Sequence, residues 1–98
     1  MENIKVLKLL SGEEIVCDVQ ESETAFLVKN AVKFVMTPIN QSQVGIEMHP
    51  FVMLSDDKEM EISKSFVITV CNPVDKVLEA YSSQFSDLVL PPEKSLIT

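Results

Sequence analysis

Few side chains in this 98-residue chain are of a type and spacing that could do chemistry. The single histidine, His49, stands in an alternating apolar run directly before Pro50, a setting in which histidine ordinarily serves structure. Cys17 and Cys71 lie far apart, each among apolar residues and without a second ligand pair. They read as buried free thiols rather than as a zinc site or a disulfide framework. Glu13-Glu14 and Asp56-Asp57 are paired carboxylates, but they fall in turns, where water keeps both members ionised and no neighbour raises a pKa for acid-base work. The sequence holds no glycine-rich phosphate loop, no metal-spaced His/Cys cluster and no nucleophile motif. These residues argue against an enzyme and call for neither a metal nor a cofactor.

Lysine is the remaining candidate, as a partner for phosphate. Eight lysines, no arginine and fifteen acids give a net charge of −7. Such a chain repels nucleic acid on average and lacks the guanidinium fork that grips phosphate with two hydrogen bonds. Any binding to a polyanion has to be local. Lys5, Lys8, Lys29 and Lys33 belong to the first and third apolar runs, whereas the acids bunch at 13–14, 21–23 and 56–61. Solvated strand faces and solubilising loops account for most of these charges.

A β-rich scaffold has to position them. In the first run Ile4, Val6 and Leu9 or Leu10 alternate with Lys5 and Lys8, and Ser11-Gly12 supplies a turn. In the second, Ile15, Cys17 and Val19 make a core face, with Glu14, Val16, Asp18 and Gln20 on a side mostly fit for water. Glu21-Ser22-Glu23-Thr24 breaks it. The third run places Phe26, Val28, Val32, Phe34 and Met36 in one phase, interrupted at Asn30, and is long enough that it must bend. A polar connection over 37–43 leads to a fourth run, in which Pro50 marks a bulge, an edge or a corner. Met60 and Ile62 resume an extended path after an acidic loop, and Phe66 to Cys71 is the most β-prone run of all. The spacing predicts strands near 4–10, 14–21, 25–36, 43–54 and 65–71. A helix is expected near 74–85, with Asn72 as N-cap, Pro73 in the first helical position and Asp75 in the first turn. Val74, Val77, Leu78, Tyr81 and Phe85 form its apolar stripe, which must cover a barrel end or a neighbouring subunit. In the tail over 86–98, Pro91-Pro92 stops regular structure, and the last six residues are expected to be mobile or drafted into a subunit contact.

At 46% apolar residues the chain forms one domain, 1–98, small enough that exposed sheet edges are a liability. No apolar run approaches the ~20 residues of a membrane span, and the start of the chain lacks the layout of a signal peptide, so a cytoplasmic protein is expected. The fold class read from these runs is mainly β: a small, five-stranded, strongly bent antiparallel sheet forming a partly open barrel, with a C-terminal helix. SH3-like, OB and Sm-like forms are the candidates, and the turn spacing favours the last.

Particular residues carry a resemblance over roughly 4–73. Leu9-Leu10-Ser11-Gly12-Glu13-Glu14-Ile15 and Phe26-Leu27-Val28-Lys29-Asn30-Ala31-Val32 resemble the opening and the end of the first motif of the Sm/LSm family. The run from Ile62 through Ser63-Lys64-Ser65 to Cys71-Asn72-Pro73 is similar to its second motif, in which a turn enters the last strand and a stop follows. In size the chain is similar to the small Sm-like proteins of phage genomes, for which the host cytoplasm is the expected location. The departures fall on the base pocket. Cys17 stands for a glycine, Glu21 and Ala25 for the uracil-contacting Asp and Asn, and Ser63-Lys64 for Arg-Gly. Family members also usually carry a helix before the first strand, whereas here it follows the last.

The resemblance implies a non-enzymatic homo-oligomeric ring, in which strand four of one subunit pairs with strand five of the next, and which binds RNA or single-stranded DNA during nucleic-acid processing. It places the contacts at Glu21, Ser22 and Thr24 and at Ser63, Lys64 and Ser65, with Lys64 the cation for phosphate, the serines and threonine as hydrogen-bond donors, and the acids repelling the backbone unless they face bases or a bridging cation. The alternative is a structural or adaptor ring that kept the assembly and lost nucleic-acid recognition.

Overall fold

The computed structural model describes residues 3–85. Six strands and one helix follow in order: β1 (Ile4–Leu9), β2 (Glu14–Glu21), β3 (Ala25–Pro38), β4 (Val44–Pro50), β5 (Glu59–Ser63), a 3₁₀ turn (Lys64–Phe66), β6 (Val67–Cys71) and α1 (Asp75–Phe85). The expected tail over 86–98 lies outside the described residues. All strand pairings are antiparallel, and β6, β1, β2 and β3 lie side by side in that order. At Val28 the chain pairs with both Val19 and Met60, and at Val32 with both Val16 and Pro50. β5 and β4 therefore share the edge of β3 opposite β2. The sheet is not closed: β6 ends it on one side, β4 and β5 on the other.

The five strands expected are six because the fourth run is interrupted. It was expected to continue to 54, but β4 ends at Pro50, which has no N–H with which to extend the ladder. The chain leaves through residues 51–58 and returns as β5. Both ends of this excursion are tied to neighbouring residues of β3, through Phe51 N–H to Ala31 O (2.9 Å) and Asn30 N–H to Lys58 O (2.8 Å). The strand expected from 65 likewise starts later. Ser63 Oγ accepts from Ser65 N–H, and the 3₁₀ turn occupies the first residues of that run before β6 begins.

Asn30 does more than interrupt a row. Its φ of 54° is left-handed, a conformation asparagine tolerates better than most residues. Between the Val16–Val32 and Asp18–Lys29 pairs β3 spends one residue more than β2, which is a β-bulge. The extra residue inverts the side-chain alternation. Val28 and Ala31 join Leu7, Leu9, Ile15, Cys17 and Ile62 on one face of the sheet, while Val32 and Phe34 turn to the other.

That second face is covered by α1. Val77, Leu78, Tyr81 and Phe85 pack over Ile4, Val16 and Val32, so Val16, expected toward water, is only 5% exposed. Each large apolar side chain fully buried this way stabilises the fold by ~1.5–3 kcal/mol. The helix begins at Asp75, one residue after the expected start at 74, with Leu78 N–H bonded to Val74 O at 2.9 Å. Asn72 Oδ1 instead accepts from Lys5 Nζ at 2.6 Å, and Val74 stays exposed rather than joining the stripe. Tyr81 is fully buried, and its hydroxyl donates to Lys29 O (3.2 Å) and Asn30 O (3.0 Å), tying the helix to the bulge.

Candidate nucleic-acid interface

Glu21 closes β2 and Ala25 opens β3, so the loop between them is short and must be held by its own polar groups. Ser22 does this. Its N–H and Oγ both reach Ala25 O at 2.9 Å, and its Oγ accepts Ala25 N–H at 3.2 Å. The turn over 63–65 has the same economy: Ser63 and Ser65 share a hydroxyl hydrogen bond of 2.8 Å, and Ser63 Oγ also accepts Ser65 N–H at 3.3 Å. The Ser22 hydroxyl proton is used within its own turn, whereas Ser63 and Ser65 use one of their two hydroxyl protons on each other and keep one to donate.

The two segments meet because β5 pairs with β3 and brings Ala25 opposite Ser63. Lys64 N–H donates to Thr24 O at 3.1 Å, which fixes the lysine beside the loop. Its ammonium lies 2.7 Å from Glu21 Oε2 and 5.8 Å from the centre of the Phe26 ring. Thus the six residues expected at the interface form one surface, although Ser22 and Thr24 come from a loop remote in sequence from Ser63, Lys64 and Ser65. Phe26 completes it and was not anticipated. Its position two residues past Thr24, cross-strand from Glu21, was the available signal.

Electrostatically the surface is poised rather than basic. Lys64 is the cation, Glu21 is its partner, and Glu23 adds a second negative charge in the exposed loop. With the Lys64 side chain 33% and Glu21 66% exposed, water screens the pair, and its net worth is ~0–1 kcal/mol. A phosphate could displace so weak a partner. Beside it runs an open cleft of about 740 Å³, lined by Glu21, Phe26 and Leu27 on one side and by Lys5 and Val70 on the other.

The strand lysines do not gather into a competing patch. Lys33 meets Glu13 at 3.0 Å, Lys8 meets Glu14 at 3.3 Å and Lys29 meets Glu59 at 3.6 Å. The bulge at Asn30 puts Lys29 and Lys33 on opposite faces of β3. The hydrogen bond from Lys33, with a second from the Ser11 hydroxyl, holds the Glu13 carboxyl below its usual range.

Of the remaining sequence candidates, Cys17 is fully buried and burial, with Asp18 nearby, pushes its thiol up to about 12, so it is neither a ligand nor a nucleophile at neutral pH. Cys71, expected to be buried, is exposed near the end of β6. His49 lies 3.2 Å from Glu47 and stands across the strands from Lys33. Among the described residues no cluster of His, Cys, Asp and Glu could hold a metal ion, and no helix is long and apolar enough to cross a membrane. In comparisons with known proteins, the chain matches no family model and no curated relative.

Proposed function

We propose that this chain is a non-enzymatic Sm-like protein that assembles into a homo-oligomeric ring and binds RNA or single-stranded DNA at the surface formed by Glu21, Ser22, Thr24, Ser63, Lys64 and Ser65. One observation carries the binding reading: the two segments that the family resemblance assigns to nucleic acid, far apart in sequence, are adjacent in space, with a lysine and an aromatic ring between them. A phosphate partner, a half-buried aromatic ring beside it and a cleft alongside are parts that a sequence-tolerant single-strand site uses. The assembly reading rests on an open sheet whose edges at β6 and at β4–β5 are unpaired among the described residues. In a small β protein such edges need a partner, and a cyclic arrangement removes them. Base specificity is not expected, because the side chains that differ from the family are those of the base pocket.

The test is a titration of single-stranded homopolymers at several salt concentrations. Binding that weakens linearly with the logarithm of salt supports the reading, and no binding at low salt contradicts it. A second reading, a structural or adaptor ring without nucleic-acid binding, is favoured by one observation, the neutralisation of Lys64 by Glu21 at 2.7 Å. Absence of any homopolymer signal from an assembled ring would select it.

A further inference from the structure

We propose that Glu21 is an internal competitor for the ligand, holding Lys64 until a phosphate replaces its carboxylate; this rests on the nucleic-acid reading above. Lys64 is attached at two points. Its backbone N–H is fixed to Thr24 O, and its ammonium is drawn to Glu21 Oε2, across the Phe26 ring. The backbone tie keeps the lysine's main chain beside the loop whether or not Glu21 is charged. What the carboxylate takes is one of the ammonium's three donors and most of the attraction of its charge for another anion. A phosphate oxygen makes the same kind of contact as a carboxylate oxygen, so the two compete for that donor and for the ammonium's charge. The outcome is a site that discriminates against weakly charged ligands. A single carboxylate or lone anion gains nothing by exchange, whereas a polynucleotide adds stacking and neighbouring phosphates to the exchange and can drive it.

Glu21 thus differs in role from Glu23, which bears the same charge in the same loop but forms no ion pair with Lys64. Charge repulsion alone would make the two acids equivalent. A lock on Lys64 makes them unequal, and makes the effect of Glu21 depend on the lysine.

The experiment is a double-mutant cycle with a fluorescein-labelled oligo-uridylate at low salt, read by anisotropy, on the full chain. The four proteins are the wild type, Glu21→Gln, Lys64→Ala and the double variant, with Glu23→Gln as the charge control. Glu21 is exposed and its amide is the same size, so folding is retained, which thermal melts of all five proteins check. Glu21→Gln is expected to tighten binding about three- to fivefold, the equivalent of releasing a weak exposed pair. The gain should shrink to under about twofold in the Lys64→Ala background and exceed that of Glu23→Gln. A Glu21→Gln gain that is absent, or equal with and without Lys64, overturns the lock while leaving nucleic-acid binding intact. Failure of the wild type and Glu21→Gln alike to bind overturns the binding reading, and the lock with it.

Discussion

Lys64 carries most of the charge argument, and its removal has a specific signature. A lost phosphate contact costs all sequences alike, so Lys64→Ala should weaken binding uniformly across homopolymers and lower the salt slope by about one unit. Unchanged affinity and slope would move the contacts elsewhere. A second prediction at this scale concerns Cys17. Its thiol is raised from 9.0 to about 12 in the folded chain by burial first and Asp18 second. The raised value means that the folded state holds its proton where the unfolded chain has lost it. The stability it reflects is therefore complete below pH 9 and falls as pH rises from there toward 12. Urea midpoints measured over that window should decline less steeply for Cys17→Ala than for the wild type; parallel slopes would contradict the assignment. Within the interface, the serines and threonine were legible as types but not as partners. Nothing in the sequence signals that Glu21 and Lys64 come within hydrogen-bond distance, because that contact depends on how β5 registers against β3.

At the scale of elements, the Asn30 bulge and the Tyr81 contact form one joint. Asn30 has a φ of 54°, which costs a β-branched residue more than asparagine and glycine least. Asn30→Val should destabilise the fold by ~1–2 kcal/mol while Asn30→Gly stays within about half of that, measured by urea denaturation. Equal losses would mean that the side chain, not the backbone, matters there. Tyr81→Phe keeps the ring but removes the donor to Lys29 O and Asn30 O, and is expected to cost ~1–2 kcal/mol. The first three strands and the helix were legible because their apolar spacing is regular and Gly12 and the 21–24 loop punctuate it. The bulge was not, because a period-2 pattern records alternation but not an inversion of it. Val16 was misread for a related reason. A strand covered on both faces loses the contrast between core and water, and the helix that covers Val16 lies more than fifty residues away in sequence. Pro50 and Ser63 were recognised as irregular, but whether a chain at such a point bends, leaves or turns is decided by the β3 groups waiting to receive it.

At the scale of the molecule, the sheet edges left unpaired among the described residues are the feature that demands an explanation. On β6, Ile68 is 59% and Val70 41% exposed, and on β4, Val44 is 61% and Ile46 44% exposed. A strand edge with this much apolar surface is a template for pairing unless another copy occupies it. Because Ile68 is outside both core clusters, Ile68→Lys should leave the protomer folded by circular dichroism while lowering the assembled mass, since an edge lysine opposes strand addition. The most direct test is the mass of the wild-type protein by multi-angle light scattering across a wide concentration range. A closed ring predicts a single mass at a whole multiple, three or more times, of the 11.0 kDa chain, constant on dilution; an 11.0 kDa monomer at every concentration would contradict it.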